Sequence, residues 1–169
     1  MHSDPTPVAR KVLIAGGCGV GTTTAIGSVS EIDPLHTEAT IGFDFGRVTI
    51  SADFVLYLFG TPGQTRFSFV WDEMARGAMA VLVIVDTRNL ETSFPAIDYC
   101  ESRGMPFVIA VNAFDDAPRY SESEVRDATA VGPEVPVLFF DARDQATVRT
   151  VLATLAEHAI AAPRRAPRP

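Results

Sequence analysis

The chain is nearly without lysine: of 14 basic residues in 169, thirteen are arginines and Lys11 stands alone. Basic residues are also outnumbered, 14 against 21 acidic, for a net charge of −7. That balance excludes a nucleic-acid backbone as the main partner, because such binders carry a basic face. Cys18 and Cys100 are the two cysteines, too few for a disulfide framework, and a reducing cytoplasm is expected. The longest apolar run, Ala78 to Val85, is far too short for a membrane span. Met1 to Ala9 is polar and contains proline, so no secretory leader is expected. His2, His36 and His158 are scattered without ligand spacing. What is abundant is apolar: 47% hydrophobic against 21% charged residues, enough for one buried core.

Six apolar runs of strand length alternate with helical patterns. The runs are Val12–Ala15, Arg47–Ile50, Phe54–Phe59, Ala80–Val85, Pro106–Val111 and Val135–Phe140. Most are continuous rather than alternating, as strands buried on both faces of a parallel sheet are. The second and third are close enough for a hairpin through Ser51-Ala-Asp53. Helices are expected over Thr23–Ser30, Phe67–Ala78, Phe94–Arg103, Glu122–Ala130 and Gln145–Ala162. In the last, Val148, Val151, Leu152, Leu155, His158 and Ala159 make one stripe. The expectation is a single doubly wound α/β domain over 1–162, followed by a frayed basic tail at 163–169.

The first strand runs into Gly16-Gly17-Cys18-Gly19-Val20-Gly21-Thr22-Thr23-Thr24 and then a helix pattern. Glycines let successive amides point inward at a phosphate, and a helix N-terminus adds its dipole. Gly16-x-x-x-x-Gly21 has the P-loop spacing, with Thr23 in the magnesium-binding position. A dinucleotide fingerprint fits worse, since Thr22 stands where its third glycine belongs. A plain tight β–α turn is the alternative. Thr22 occupies the P-loop lysine position, removing a charge-assisted contact worth roughly 1.5–3 kcal/mol, or about ten- to a hundredfold in affinity. Lys11 cannot replace it, lying roughly 13–17 Å away along the strand. The replacement cation is expected from an arginine, Arg66 or Arg47, from a bound ion, or from a partner.

Phe59-Gly-Thr-Pro-Gly-Gln64 follows the third strand, where Ras-type GTPases carry Asp-x-x-Gly-Gln. Gly63 would offer its amide to a γ-phosphate and Gln64 would orient the attacking water. Gly60 holds the place of the metal-anchoring carboxylate. Val111-Asn112-Ala113-Phe114-Asp115 lies in the register of the guanine-reading Asn-Lys-x-Asp, with Ala113 for lysine. Asp115 can accept both the N1 and N2 protons of guanine, and Asn112 would tie its loop to the phosphate loop. Asp141-Ala142-Arg143 stands in place of the Ser-Ala-Lys loop. Thr40 falls between first helix and second strand, where the switch I threonine would bind magnesium; an ordinary strand-initiating threonine is the alternative.

Together these motifs, with Val-Ser-Glu-Ile-Asp-Pro-Leu, Asp-Phe-Gly-Arg-Val and Val-Asp-Thr-Arg, resemble the conservon small GTPases of actinobacteria over residues 10 to 160. They are more distantly similar to bacterial gliding-motility GTPases. The resemblance implies a three-layer Ras-like fold with a mostly parallel six-stranded sheet of order 2-3-1-4-5-6, strand 2 antiparallel. It implies GTP/GDP and Mg2+ as ligands, a roadblock/LC7 regulator, and a membrane-bound sensor histidine kinase as a further partner. Thr22 departs from the group's lysine, so weak binding and slow hydrolysis are expected. A nucleotide-free pseudo-GTPase acting as an interaction module is the alternative. Cys18 is expected to crowd the space beside Gln64, Cys100 to be a buried hydrophobe, and the aromatic run Phe67–Trp71 to be either partner surface or core.

Overall fold

The structure is a computed structural model that describes residues 4–33, 35–36, 44–63 and 68–162. Its strands are β1 (Val8–Ala15), β2 (Leu35–His36), β3 (Asp44–Ser51), β4 (Phe54–Gly60), β5 (Ala78–Val85), β6 (Phe107–Asn112) and β7 (Val137–Phe140). The helices are α1 (Thr22–Val29), α2 (Ser68–Ala75), α3 (Phe94–Arg103), α4 (Glu122–Thr129) and α5 (Gln145–Ala161), with a 3-10 turn at Leu90–Ser93 before α3. The sheet order is β2-β3-β4-β1-β5-β6-β7. β4, β1, β5, β6 and β7 run parallel, and β3 is antiparallel to β4. This is the expected order 2-3-1-4-5-6, with the two-residue β2 added on the outer edge of β3.

Both faces of the sheet are covered, which is why its central strands are apolar throughout. Val12 and Ile14 of β1 point to the face where Ile26 of α1 and Val148, Leu152 and Leu155 of α5 pack. Leu13 and Ala15 point to the other face, against Trp71, Ile97, Cys100 and Val125 from α2, α3 and α4. The stripe expected on α5 is buried at Val148, Val151, Leu152 and Leu155. Ser121 and Glu124 close a reciprocal cap on α4, and Asp144 caps α5 by accepting from the Ala146 amide.

Several element boundaries differ from the sequence expectation. β1 begins at Val8, because exposed Val8, Ala9 and Arg10 still pair with Phe54–Leu56 of β4. α2 stops at Ala75, since Gly77 takes φ +75° and turns the chain into β5, which claims Ala78. β7 starts only at Val137, because the Val135 amide donates to Gly132 O in a turn. The hairpin joining β3 and β4 is present, with a register shift between Thr49 and Ser51. The 163–169 tail lies outside the described residues.

Candidate functional site

β1 delivers the glycine loop to the carboxyl edge of the sheet. Gly19 has φ +72° and Gly21 φ +109°, so both need a residue without Cβ penalty. Gly16 has no room for a side chain: a Cβ there would lie 2.7 Å from Ile84 O. Val20 is buried and anchors the loop in the core, Cys18 is an exposed free thiol, and Cys100 is buried. Burial pushes the Cys100 thiol pKa well up, so that sulfur packs as a hydrophobe. Thr22 opens α1 and Gly21 caps it without a side-chain bond, leaving the first amides to the loop. Thr23 and Thr24 are exposed.

The end of β4 crosses directly beneath this loop. The Thr61 amide donates to Ile14 O at 2.8 Å, and Trp71 Nε1 donates to Pro62 O at 3.3 Å. Gly63 packs onto the loop backbone: a Cβ on it would lie 2.9 Å from Cys18 N. A Cβ on Gly60 would meet the Thr22 methyl at 2.9 Å and the Asp44 Cβ at 3.3 Å. Thr23 Oγ1 donates to Asp44 Oδ2 at 2.5 Å. Gln64, Thr40 and Arg66, singled out from the sequence, lie outside the described residues.

Loops after β6 and β7 form the other half. Asn112, buried, donates through Nδ2 to Val20 O and accepts through Oδ1 from the Ala142 amide, each at 3.0 Å. It makes the expected tie to the phosphate loop and adds a second to the β7 loop. Asp115 is exposed three residues on. Arg143 grips Asp141 at 2.8 and 2.9 Å and reaches Asp115 at 3.3 Å. Those Arg143 hydrogen bonds hold the Asp141 carboxyl below the usual range. Ala113 is exposed, while Phe114 lies under the Arg88 guanidinium at 3.9 Å. Arg88 also binds Asp86 at 2.9 Å and Asp116 at 2.9 Å. Burial pushes the Asp86 carboxyl up, but its bonds to Arg88 outweigh that and hold it low.

One expectation needs correction. Arg47 does not approach the glycine loop: its carbonyl accepts from the Glu31 amide and its own amide donates to Ser30 Oγ, beyond the far end of α1. Eight helical residues, about 12 Å, separate it from the phosphate-loop end of that helix. The aromatic run divides by helix face: Trp71 is core, edge-on to Tyr99 at 5.5 Å, whereas Phe69 is 64% exposed. Lys11, as expected, is engaged elsewhere, over the Phe59 ring and donating to Arg76 O.

Sequence reasoning missed Asp44, Arg88 and Thr92. Thr92 closes over Gly17, where a Cβ would lie 2.3 Å from its Oγ1. Asp44 reaches the site through the hairpin register, which no local sequence pattern fixes. Phe45 pairs with Phe59, so the next step along β3 and β4 brings Asp44 and Gly60 together. Among the described residues no group of three or more His, Cys, Asp and Glu stands together. No helix among them is long and apolar enough to cross a membrane.

A family model described as "Conserved hypothetical ATP binding protein" matches residues 37–162, starting downstream of the glycine loop. An uncharacterized protein of Methanocaldococcus jannaschii is 31% identical over 109 residues, covering 62% of this chain and 70% of that protein. The Ras-related protein Rab-8B of Homo sapiens is 38% identical over 92 residues, 52% of this chain, which spans 44% of the Rab protein. The G domain of the T. maritima FeoB iron transporter superposes with TM-score 0.71 at 20% identity, covering 90% of this chain and 99% of that one. The apo cytosolic domain of the same transporter gives TM-score 0.74 at 18% identity, over 94% of this chain and 67% of that one.

Proposed function

We infer, from the premise that this chain belongs to the family of conserved hypothetical ATP binding proteins and has the Ras-like P-loop fold, that it is a guanine-nucleotide-binding switch. The observation that carries this reading is Asn112, whose amide joins the glycine loop to the β7 loop. That tie sets Asp115, Asp141, Ala142 and Arg143 at one end of the phosphate loop, where a base attached to the bound phosphates would lie. Asp115 is the base-reading carboxylate, accepting the paired N–H donors of guanine that adenine lacks. Gly16 to Thr24 and Gly63 receive the phosphates. Relatives bear on the ligand as well: FeoB cytosolic domains have been solved in GDP and GMPPNP forms.

Mg2+ fits the donors present. The Thr23 hydroxyl beside a carboxylate offers oxygen ligands only, which suits a hard cation that keeps waters and phosphate oxygens. Thr23 and Thr40 would hold it, and it would neutralise charge on the phosphates. With Thr22 in the lysine position binding is weak, and turnover, oriented by Gln64, is slow. The protein acts as a conservon-type switch, read by a roadblock/LC7 partner and through it by a sensor kinase at the membrane. Phe69, 64% exposed on the helix after the Gln64 loop, supports a partner surface that moves with nucleotide state.

Titration with labelled GTP, GDP and ATP, with and without magnesium, tests the reading. Saturable guanine binding that Asp115→Ala abolishes supports it, and equal affinity for ATP overturns the base assignment. A second reading, the nucleotide-free interaction module, draws on Gly63 packed against Cys18 N. It predicts no saturation at millimolar nucleotide.

A further inference from the structure

The carboxylate missing at Gly60 has a neighbour. β3 and β4 are antiparallel, and their register brings Asp44 beside Gly60 at the carboxyl edge of the sheet, under the first turn of α1. There Thr23 Oγ1 donates to Asp44 Oδ2 at 2.5 Å. Position 60 has no room for a carboxylate of its own, because its Cβ would already crowd the Thr22 methyl at 2.9 Å and the Asp44 Cβ at 3.3 Å. Thr22, Asp44 and Gly60 therefore form one interlocked set. A side chain at 60 would press on both Thr22 and Asp44.

We propose that Asp44 supplies the protein's carboxylate for the divalent cation of a bound nucleotide, in place of position 60. The proposal rests on the guanine-nucleotide reading above and adds a residue that it does not contain. Two like charges, a carboxylate and a polyphosphate, meet at a helix start without a lysine between them. A divalent ion between Thr23, Asp44 and the phosphates converts that repulsion into attraction. It does so with the hard oxygen donors that Mg2+ and Mn2+ prefer.

The test is GDP binding measured by the emission of Trp71, which touches the Pro62 carbonyl of the loop, or by calorimetry, in excess Mg2+ and in EDTA. Mn2+ binding to the GDP-loaded protein is followed in parallel by electron paramagnetic resonance. Wild type should lose at least about a hundredfold in GDP affinity without metal, two charge-assisted contacts being lost together. Asp44→Asn should weaken Mn2+ by about tenfold or more and shrink the gap between the Mg2+ and EDTA curves. Thr22→Lys should shrink that gap from the other side, by strengthening the EDTA curve. Equal GDP affinity with and without metal in wild type overturns the proposal, as does unchanged Mn2+ affinity in Asp44→Asn. Should Asp44→Asn fail to fold by circular dichroism, Asp44→Glu keeps the charge and moves it by one methylene. A loss of Mn2+ affinity in that variant supports the assignment, and an unchanged value overturns it. Failure of the underlying reading looks different: no saturable GDP binding even in excess Mg2+, which removes both.

Discussion

The loops after β6 and β7 are bound side chain to side chain, whereas the loops after β1 and β4 are held by backbone and by missing side chains. At the first end the buried Asn112 amide joins two loop backbones, Arg88 of the loop after β5 pairs with Asp86 and Asp116, and Arg143 pairs with Asp141 and Asp115. At the second end Gly17, Gly60 and Gly63 each let a neighbour within contact distance, and the side-chain bonds there include Thr23 to Asp44 and Trp71 Nε1 to Pro62 O. The departures from the Ras pattern at Thr22 and Gly60 fall at this glycine-built end, and those at Ala113, Asp141 and Arg143 fall at the base end. Changing one residue at the glycine-built end requires compensation from whichever atom fills the space, while at the base end the departures Asp141 and Arg143 hydrogen-bond each other. The first end is rigid by bonding and the second by packing.

The comparison breaks most sharply at the residue that joins the two ends. Asn112→Ala removes two hydrogen bonds and leaves Val20 O and the Ala142 N–H without their partner. The expected loss is roughly 3 kcal/mol, read as a fall of about 6–12 °C in Tm. A variant melting within a degree of wild type would show that the ends are coupled through the sheet instead.

Packing at the other end is sharpened by Gly60→Ala. The new Cβ meets the ends of side chains, Thr22 Cγ2 at 2.9 Å and Ile26 Cδ1 at 3.2 Å, so a cost of about 1–2 kcal/mol is expected. Thr22→Ser removes the crowding methyl, and the double variant should recover about half of that loss in chemical denaturation. Strict additivity of the two changes would mean that Thr22 and Gly60 are not in contact.

What was legible in the sequence follows the same division. β5 and β6 read clearly because both faces are buried, and Gly19 and Gly21 read clearly because the loop needs positive φ. The first half of β1 did not, since its exposed residues carry no apolar run and only pairing with β4 makes them a strand. Asn112 was legible because its partners lie on loops that the motif order already brought together. Asp44 was not: its meeting with Thr23, 21 residues away, depends on the register of a hairpin. The packing of Gly63 on Cys18 likewise depends on tertiary placement, and no local pattern encodes it.

A smaller effect, in affinity rather than stability, comes from restoring the missing ammonium. Thr22→Lys should tighten GTP binding by at least about tenfold, the worth of one charge-assisted contact. Calorimetry at fixed magnesium reads it directly. Unchanged affinity would mean that the loop does not receive phosphate, or that another cation already serves it.

The smallest expected effect separates the ends by pH. Arg143 hydrogen bonds depress the Asp141 carboxyl, and at Asp86 burial raises the pKa while Arg88 lowers it further than burial lifts it. A depressed carboxylate contributes stability that is complete above its unfolded pKa, near 3.9, and is lost as pH falls through the folded value. The base end should therefore weaken below about pH 4. Arg143→Gln removes one arm of this dependence: its Tm should start slightly lower at pH 6 and decline less steeply toward pH 3 than that of wild type. The difference stays small because the Arg143 and Asp115 side chains are 58% and 87% exposed, and solvent screens exposed pairs. Raising salt to about 1 M should shrink it further, as the Debye length falls to about 3 Å. Parallel melting curves for the two proteins across that range would show that Arg143 holds Asp141 by geometry alone, with no charge coupling behind it.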